Sequence, residues 1–263
     1  MNTLIFDVSG RMANFRRFYS SVTPLSYSFP PRNTINGMLA AILGYKRDSY
    51  YNIFSRENFG IALSLNNRNG LRRLMLPTNY LNTDEVTISK LRGKEKVPTS
   101  VEYIIPTPPE TEVSYRIYVV LLNEKYRNIL EELERRVREK EPIYPVSLGP
   151  ANCLAGIDWV AYTTADIIEL DNESPIKTVK TVIDLDLISD DGIKFEDKSV
   201  FEGKKIVLEE RLPPDFVNKR EINGRSKNYI FEGNGDIIPV RLKHNTKVFK
   251  VKIKEEEIYG TFM

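Results

Sequence analysis

Arginines and aromatic residues occur together in one short segment near the start of the chain. Residues 11–19 read Arg11-Met-Ala-Asn-Phe-Arg-Arg-Phe-Tyr19. Guanidinium groups pair with phosphates, and aromatic rings stack on unpaired bases. The mixture therefore favours single-stranded nucleic acid over a membrane surface, where a long amphipathic helix is expected. Some of these aromatic residues are expected in the core, since Phe and Tyr usually lie there.

The charge is unevenly distributed along the chain. Its 263 residues carry a net charge of +2, but residues 1–110 hold 14 Lys and Arg against 8 Asp and Glu. Residues 111–263 hold 24 against 28, so the first part is basic and the second acidic. A basic part on a nearly neutral chain suggests that one face meets an anion, with an ordinary solvated surface as the alternative.

The residue types exclude several kinds of chemistry. The single cysteine, Cys153, excludes a disulfide scaffold and a cysteine-built metal centre, and the single histidine, His244, excludes a two-histidine site within one chain. No phosphate-binding glycine loop, dinucleotide fingerprint or nucleophile elbow is present. We therefore expect no cofactor and no transition metal.

Two weaker possibilities for chemistry remain. Asp184 and Asp186 could hold a divalent cation, but the alternation around them predicts that both lie on the exposed face of a strand. Metal-independent RNA cleavage needs a base for the ribose 2′-hydroxyl and an acid for the leaving oxygen. Lys243-His244, together with a tyrosine, could supply these groups.

A helix is predicted after the arginine-rich segment. Asn33 or Thr34 can cap its start, and Gly44 can adopt the left-handed conformation that ends a helix. A second helix is predicted over residues 124–140. The apolar residues of the first helix recur at the spacing of one helical face: Ile35, Met38, Leu39 and Ile42.

Short apolar segments predict strands around these helices. Asn69-Gly70 is a strong turn signal, so the segments on either side of it are predicted to form a hairpin. With the two helices, the order is close to βαββαβ, the plan of ferredoxin-like (RRM-type) domains. The predicted strands are residues 4–8, 59–65, 71–76, 113–122 and 157–162.

Residues 77–110 lie between two predicted strands and follow no clear pattern. Loops this long are often functional or mobile. We therefore predict a basic arm or hairpin that leaves the domain. Its basic residues include Lys90, Arg92, Lys94 and Lys96.

After about residue 170 the helical period disappears, and turns rich in Gly, Asn, Asp and Pro separate short apolar segments. The predicted fold is therefore α+β: a ferredoxin-like (RRM-type) domain over residues 1–168, with a β-hairpin thumb inserted near residues 77–110, and a small β-rich part over residues 169–263. The sequence leaves open whether the second part folds alone. Its predicted strands are residues 178–188, 204–212, 227–231, 237–242 and 247–253.

Two stretches of residues 1–165 resemble a known family. They are Phe15-Arg-Arg-Phe-Tyr19 followed by Tyr27-Ser-Phe-Pro-Pro-Arg-Asn-Thr-Ile-Asn-Gly-Met-Leu-Ala-Ala-Ile-Leu-Gly44, and Tyr144-Pro-Val-Ser-Leu-Gly149. Both are similar to the CRISPR-associated Cas-five family of the RAMP superfamily, particularly its type I-B branch. The resemblance implies an RRM-like domain with a thumb and a small β-rich C-terminal part. It also implies a subunit that caps the Cascade surveillance complex, holds the five-prime handle of the CRISPR RNA, and contacts the Cas-seven backbone and a large Cas-eight-type subunit.

The resemblance also implies which residues contact RNA. A helix start offers free N–H groups and a favourable dipole to a phosphate, and a glycine lets RNA approach closely. Thumb residues Lys90, Arg92, Lys94 and Lys96 match the family only by position. The implied contacts lie in the basic segment (Arg11, Phe15, Arg16, Arg17), at the first helix (Arg32, Asn33, Thr34, Asn36, Gly37) and in a later loop (Gly149, Pro150, Asn152).

The resemblance argues against catalysis. The type I-C branch cleaves precursor RNA with a tyrosine after the first helix and a lysine–histidine pair near mid-chain. Tyr45 lies at a similar place, but no histidine lies near mid-chain and Lys243-His244 is too far C-terminal. We therefore expect a non-catalytic RNA-binding subunit, with a separate Cas-six endonuclease making the guide.

The sequence leaves two other functions open. One is a metal-independent endoribonuclease that processes precursor CRISPR RNA. The other is a ferredoxin-like metabolic enzyme or assembly scaffold without RNA contact. Since no secretory signal or membrane-spanning stretch is visible, we expect a cytoplasmic protein without a membrane partner.

Overall fold

The computed structural model describes residues 1–20, 23–81, 96–170, 177–190, 192–193, 203–218 and 220–263. Its α-helices are α1 (Arg32–Leu43) and α2 (Arg127–Glu139). The strands are β1 (Asn2–Gly10), β2 (Phe15–Arg16), β3 (Ser26–Tyr27), β4 (Phe59–Leu65), β5 (Leu71–Leu81), β6 (Lys96–Pro106), β7 (Val113–Leu121), β8 (Gly156–Glu169), β9 (Lys177–Val179), β10 (Ile183–Asp184), β11 (Ile206–Leu212), β12 (Asp215–Val217), β13 (Glu221–Asn223), β14 (Lys227–Glu232), β15 (Ile238–Val240), β16 (Lys247–Ile253) and β17 (Glu256–Thr261). In these ranges, no helix is long and apolar enough to cross a bilayer.

The largest sheet of the described residues has the strand order β15-β9-β17-β16-β8-β1-β7-β4. β1 pairs antiparallel with β7 and β8, and β4 pairs antiparallel with β7. Side chains of a strand alternate between the two faces of a sheet. Leu4 and Phe6 accordingly share one buried cluster with Leu39 of α1 and Leu133 of α2, whereas Ile5 lies in a cluster on the opposite face. The fold is therefore mixed α+β, as expected, and most of its regular structure is sheet.

The boundary predicted after residue 168 lies inside β8. The first part of this strand pairs with β1, and residues 165–169 pair with β16. Ile5 and Tyr118 share a buried cluster with Phe249 and Ile258. The C-terminal strands therefore extend the sheet formed by the first half of the chain.

The predicted hairpin around Asn69-Gly70 is wrong. β4 pairs with β7, whereas β5 pairs with β6 in a separate two-stranded arm. All of β4 is buried, so it needs a neighbour in the central sheet, while β5 exposes Leu74 and Met75. Gly70 does form a turn with a left-handed φ of 73°, and this turn leads the chain out of the sheet into the arm.

The arm (β5 and β6) begins at Leu71, earlier than the predicted insertion at residue 77. Its strands pair in register from Leu71 and Pro106 to Leu81 and Lys96. Lys96 is the first residue of β6. The predicted thumb residues Lys90, Arg92 and Lys94 lie outside the described residues.

Residues at the ends of the helices show how each helix begins or stops. Pro31 occupies the N-cap of α1, with φ of −57° and no side-chain cap, so the predicted capping by Asn33 or Thr34 is wrong. Gly44 ends the helix with φ of 75°, as predicted. The Asn123 side chain accepts a hydrogen bond from Lys125 N at the 3₁₀ turn that precedes α2.

Asp184 is buried, and the prediction that it lies on an exposed strand face is wrong. Its carboxylate accepts a hydrogen bond from Asp186 N at 3.0 Å and pairs with Lys227 Nζ. Asp186 is itself paired with Arg225 at 3.0 Å. The carboxylates of Asp184 and Asp186 are therefore each paired with a basic side chain of the protein.

Candidate nucleic-acid interface

The basic segment (residues 11–19) crosses between the arm and the β8 loop (residues 144–155). Ala13 N donates to Ile104 O at 2.9 Å, and Ile104 N donates to Ala13 O at 2.8 Å. Asn14 N donates to Leu148 O at 3.0 Å, and Asn14 Nδ2 donates to Glu102 O at 2.6 Å. These bonds fix the backbone from which the side chains of the segment project.

The β8 loop lies directly against the basic segment. Gly149 has a left-handed φ of 108°, and a Cβ atom there would be 1.9 Å from Asn14 O. Only glycine permits this approach without displacing backbone. Pro150 and Asn152 are exposed beside it, and Asn152 Nδ2 donates to Tyr103 Oη at 3.2 Å. The structure thus brings together Asn14 and Gly149, which lie 135 residues apart in the sequence.

The exposed side chains of the basic segment are Arg11, Arg16, Phe18 and Tyr19. Phe18 is 60% exposed and Tyr19 is 39% exposed, with their ring centroids 5.3 Å apart. The guanidinium of Arg211 lies 5.7 Å from the centre of the Tyr19 ring. Arg11 follows Gly10, where an added Cβ would lie 2.7 Å from Leu154 O, so Arg11 emerges beside the β8 loop.

Phe15 is a core residue, which corrects its predicted role in contacting RNA. Its side chain is 3% exposed, and its ring packs edge-on against Tyr115 at 5.8 Å. Its backbone N donates to Ser26 Oγ at 2.9 Å. A ring buried in this way has no face to offer a base. Phe18 and Tyr19 offer aromatic surface instead, although neither was among the predicted contacts.

Arg17 is largely engaged by the protein, and its predicted contact with phosphate stays a prediction. Its Nη2 donates to Glu209 Oε2 at 3.0 Å, and its Nε donates to Ser26 O at 3.1 Å. Its guanidinium lies 5.5 Å from the centre of the Tyr27 ring. Glu209 is only 1% exposed and the Arg17 side chain is 22% exposed, so the pair is shielded from water on its carboxylate side.

Glu209 of β11 also binds the arm. Its Oε1 accepts hydrogen bonds from Arg73 Nη2 at 2.7 Å and from Ser28 N at 3.2 Å, and it pairs with Ser28 Oγ. Arg73 Nη1 donates to Glu102 Oε2 at 2.8 Å. One buried carboxylate therefore connects the C-terminal part, the arm and the basic segment. Sequence reasoning missed it, because nothing local distinguishes Glu209 from the exposed Glu210.

At the start of α1 the Arg32 side chain is engaged by the protein, while a pocket lined by Pro31, Arg32 and Arg56 opens beside it, so the predicted phosphate contact stays a prediction. Arg32 is 5% exposed, and its Nη2 donates to Phe54 O at 3.1 Å and Phe59 O at 2.9 Å. Its Nε lies 3.7 Å from Asp215 Oδ1. Burial lowers the pKa of Arg32 to about 10.

The other predicted residues of α1 have different surroundings. Asn33 Nδ2 donates to Pro214 O at 2.7 Å, and Asn33 Oδ1 accepts from Phe216 N at 3.2 Å. Thr34 is half-buried, and its backbone N donates to Pro31 O at 2.8 Å. Asn36 is buried, while Gly37 lies at a half-buried position beside Tyr50. The structure therefore does not bring these residues to the basic segment.

Comparison with known proteins identifies the family. The family model described as CRISPR-associated protein (Cas_Cas5) matches residues 3–224. A comparison with curated proteins gave no significant match. The protein is similar to the crystal structure of a CRISPR protein from Archaeoglobus fulgidus, with a TM-score of 0.56 and 11% identity over 99% of this chain and 100% of that chain.

Two further solved structures are more distant. One, titled a CRISPR RNA-guided surveillance complex, has a TM-score of 0.46 and 15% identity over 90% of each chain. The other, the crystal structure of a Cas protein, has a TM-score of 0.41 and 12% identity over 90% of this chain and 95% of that chain. Because the family model spans most of the chain, this protein belongs to the CRISPR-associated Cas-five family.

Proposed function

We propose that this protein is a non-catalytic RNA-binding subunit of a type I CRISPR Cascade surveillance complex, of the type I-B kind. It would hold the five-prime handle of the CRISPR RNA and cap the complex next to the Cas-seven backbone and a large Cas-eight-type subunit. Its place of action would be the cytoplasm. Membership in the Cas-five family supports a role in a CRISPR effector complex.

The observation that carries the RNA-binding proposal is the exposed strip of the basic segment. Arg11 and Arg16 offer charges to phosphates, and Phe18 offers a ring to a base. Hydrogen bonds to the arm and the β8 loop hold the backbone beneath them. A pre-positioned surface of this kind reduces the ordering cost of binding a flexible strand.

We also propose that residues 1–168 form a ferredoxin-like (RRM-type) domain. The sheet order β8-β1-β7-β4, with α1 after β1 and α2 after β7, supports this assignment. In this proposal β5 and β6 are the described part of the thumb.

The direct test uses the full chain with labelled CRISPR repeat RNA in EDTA, analysed in parallel on native and denaturing gels. The proposal predicts that the RNA is retarded on the native gel and intact on the denaturing gel. Specific cleavage that the change His244→Ala abolishes would instead support the alternative, a metal-independent endoribonuclease. His244 is exposed in the turn between β15 and β16.

A further inference from the structure

One side of strand β8 is only partly covered by other strands. β1 pairs along the opposite side, from Gly156 to Thr164. On the partly covered side, β16 pairs with residues 165–169. Within the ranges that the structure describes, no other backbone pairs with residues 156–164 on that side, which we call the free edge.

The backbone of the free edge directs polar groups outwards. Ala165 N donates to Met1 O at 2.8 Å, and Ala165 O accepts from the amino group of Met1 at 2.7 Å, so both groups of Ala165 point towards β1. In an antiparallel ladder, successive residues direct their N–H and C=O groups to opposite sides. The groups of Tyr162 and Thr164 therefore point away from β1. Groups repeated at this spacing match the backbone of another extended chain.

The strand β4, at one end of the sheet, shows how the fold treats a comparable edge. The chain covers β4 with its own C-terminal part. Val182 N donates to Leu63 O at 2.8 Å, and Met263 N donates to Ile61 O at 2.9 Å. The fold therefore satisfies carbonyl groups at the edge of β4, whereas the free edge of β8 stays open in the described part of the chain.

The free edge lacks the residues that commonly protect an exposed strand. Lys and Pro at such edges prevent pairing with other chains. Residues 156–164 read Gly-Ile-Asp-Trp-Val-Ala-Tyr-Thr-Thr and contain neither residue type. Their one charged residue is Asp158, whose carboxylate pairs with Lys140 Nζ at 2.5 Å. The composition of this stretch is therefore that of a strand that accepts a partner.

The only tryptophan of the chain, Trp159, lies on the free edge. Val160 has no partner on β1, and this bulge brings Trp159 and Tyr162 to one face of β8, where they lie opposite Phe6 and Leu4. Trp159 nevertheless remains 41% exposed. Tryptophan is enriched among the residues that carry most of the binding energy of protein interfaces. An apolar side chain of an added strand would pack on this ring.

A second copy of this chain fits the free edge poorly. Antiparallel pairing of two copies about a two-fold axis at Trp159 would place Leu154 of one copy beside Thr164 of the other. In the register of β16, Lys252 is the residue that follows on beside Thr164. The β8 loop of one copy would therefore collide with the end of β16 in the other. A short strand of a different protein avoids this collision, because it can end before β16.

We propose that the free edge of β8 binds a short extended strand of a neighbouring subunit in the CRISPR effector complex. The strand would lie beside residues 156–162, in line with β16, which already pairs with the same side of β8. Its backbone would supply the hydrogen bonds, and its apolar side chains would meet Trp159 and Tyr162. At about 3.3 Å per residue, this stretch offers about 23 Å of edge. The inference rests on the proposed function, since it needs the chain to assemble with other subunits.

The test uses complexes made by co-expression of the full chain with the Cas-seven and Cas-eight-type subunits and CRISPR RNA. Trp159→Lys places a protecting lysine on the free edge and should lower the amount of chain that co-purifies with these subunits by about tenfold or more. Trp159→Phe keeps an apolar ring and should assemble like the unmodified chain. The matched control is Ile222→Lys, at an apolar residue of β13 that is 70% exposed and lies outside this sheet. It should also assemble normally.

Two further measurements accompany the co-purification. Each isolated variant should bind CRISPR repeat RNA with the affinity of the unmodified chain, which shows that the variant is folded. Amide hydrogen exchange distinguishes strand pairing from contact between side chains alone. Pairing predicts that amides of residues 156–164 exchange about tenfold or more slowly in the complex than in the isolated chain. Unchanged exchange of these amides would overturn the proposal, even if Trp159→Lys assembles poorly.

The other outcomes also decide the proposal. If Trp159→Lys assembles as well as the unmodified chain, the free edge is not an interface, although RNA binding by the isolated chain would leave the proposed function standing. If the unmodified chain neither binds RNA nor co-purifies with the subunits, both proposals fail. If the isolated chain is a dimer that Trp159→Lys converts to a monomer, the occupant is a second copy, and the proposal of a different subunit is overturned.

Discussion

The basic segment contains both buried and exposed side chains. Phe15 packs against Tyr115 and Arg17 pairs with Glu209, whereas Arg16 and Phe18 are exposed. Phe15 and Arg16 lie on the extended strand β2, in which successive side chains point to opposite sides, and Phe18 lies in the turn that follows. Nearby residues of the same type therefore have different surroundings, and substitutions at Phe15 and Phe18 separate a contribution to folding from the proposed contribution to RNA binding.

The change Phe18→Ala should lower RNA affinity by about 1–3 kcal/mol, because one stacked base is lost. Its free energy of unfolding should stay within about 0.5 kcal/mol of the unmodified value, since the ring is exposed. Phe15→Ala, the matched control, should instead lower the free energy of unfolding by about 3–5 kcal/mol, as expected for a buried Phe. Thermal melts and RNA titrations of both variants provide the check. Unchanged RNA affinity in Phe18→Ala would remove Phe18 from the interface.

The sequence predicted the location of the basic segment but not the role of each residue in it. Its mixture of Arg and aromatic residues is a local property and is visible without a structure. The orientation of Phe15 depends on Tyr115, and the neutralisation of Arg17 depends on Glu209, which lies 192 residues away. Contacts over such separations leave no local pattern in the sequence. Phe15, Arg17 and Arg32 were therefore predicted as RNA contacts, although their side chains make contacts within the protein.

At the scale of elements, two contacts position the interface. The β8 loop meets the basic segment where Gly149 lies against Asn14. Glu209 of β11 joins the arm to the basic segment, because it binds both Arg73 of the arm and Arg17 of the segment. The elements were largely predictable, because helical spacing indicated α1 and α2. Their pairing was not, since the turn at Gly70 was predicted to close a hairpin and instead leads into the arm.

Gly149→Ala should destabilise the protein by about 1–3 kcal/mol, because a Cβ atom would strain a left-handed backbone and collide with Asn14 O. It should also weaken RNA binding, since Asn14 anchors the basic segment. Gly156→Ala is the control: its Cβ would have no atom within 4 Å. Thermal unfolding of the two variants checks this prediction, and equal melting temperatures would contradict it.

Glu209→Ala should lower the free energy of unfolding by about 1.5–3 kcal/mol, because Arg17 and Arg73 both lose a buried, charged hydrogen-bond acceptor. The neighbouring exposed residue offers a matched control, since Glu210→Ala should change the free energy by less than about 0.5 kcal/mol. Urea denaturation of both variants gives these values. A Glu209→Ala variant as stable as Glu210→Ala would show that the contacts of Glu209 with Arg17 and Arg73 contribute no stability.

At the scale of the whole molecule, one sheet joins the two halves of the chain. β16 covers the edge of β8, and Phe249 and Ile258 pack with Ile5 and Tyr118. The sequence predicted the β-rich character of the C-terminal part. It could not predict how this part attaches, because strand pairing depends on which edges are free in the folded sheet.

A chain truncated after residue 168 should therefore fail to fold cooperatively. It would expose the apolar cluster around Ile5 and Tyr118 and leave β8 as a free edge. Circular dichroism melts and gel filtration of the truncated and full chains test this expectation. A soluble truncated monomer with a cooperative melt would contradict it and would support an independent domain over residues 1–168.

The most direct test of the central claim is the salt dependence of RNA affinity for the unmodified chain and for the double variant Arg11→Ala, Arg16→Ala. We expect the RNA affinity of the unmodified chain to fall steeply with salt. The double variant should have a slope smaller in magnitude by about 1.4, at about 0.7 for each lost phosphate contact. Identical slopes for the two proteins, or binding that does not respond to salt, would contradict an RNA interface at the basic segment.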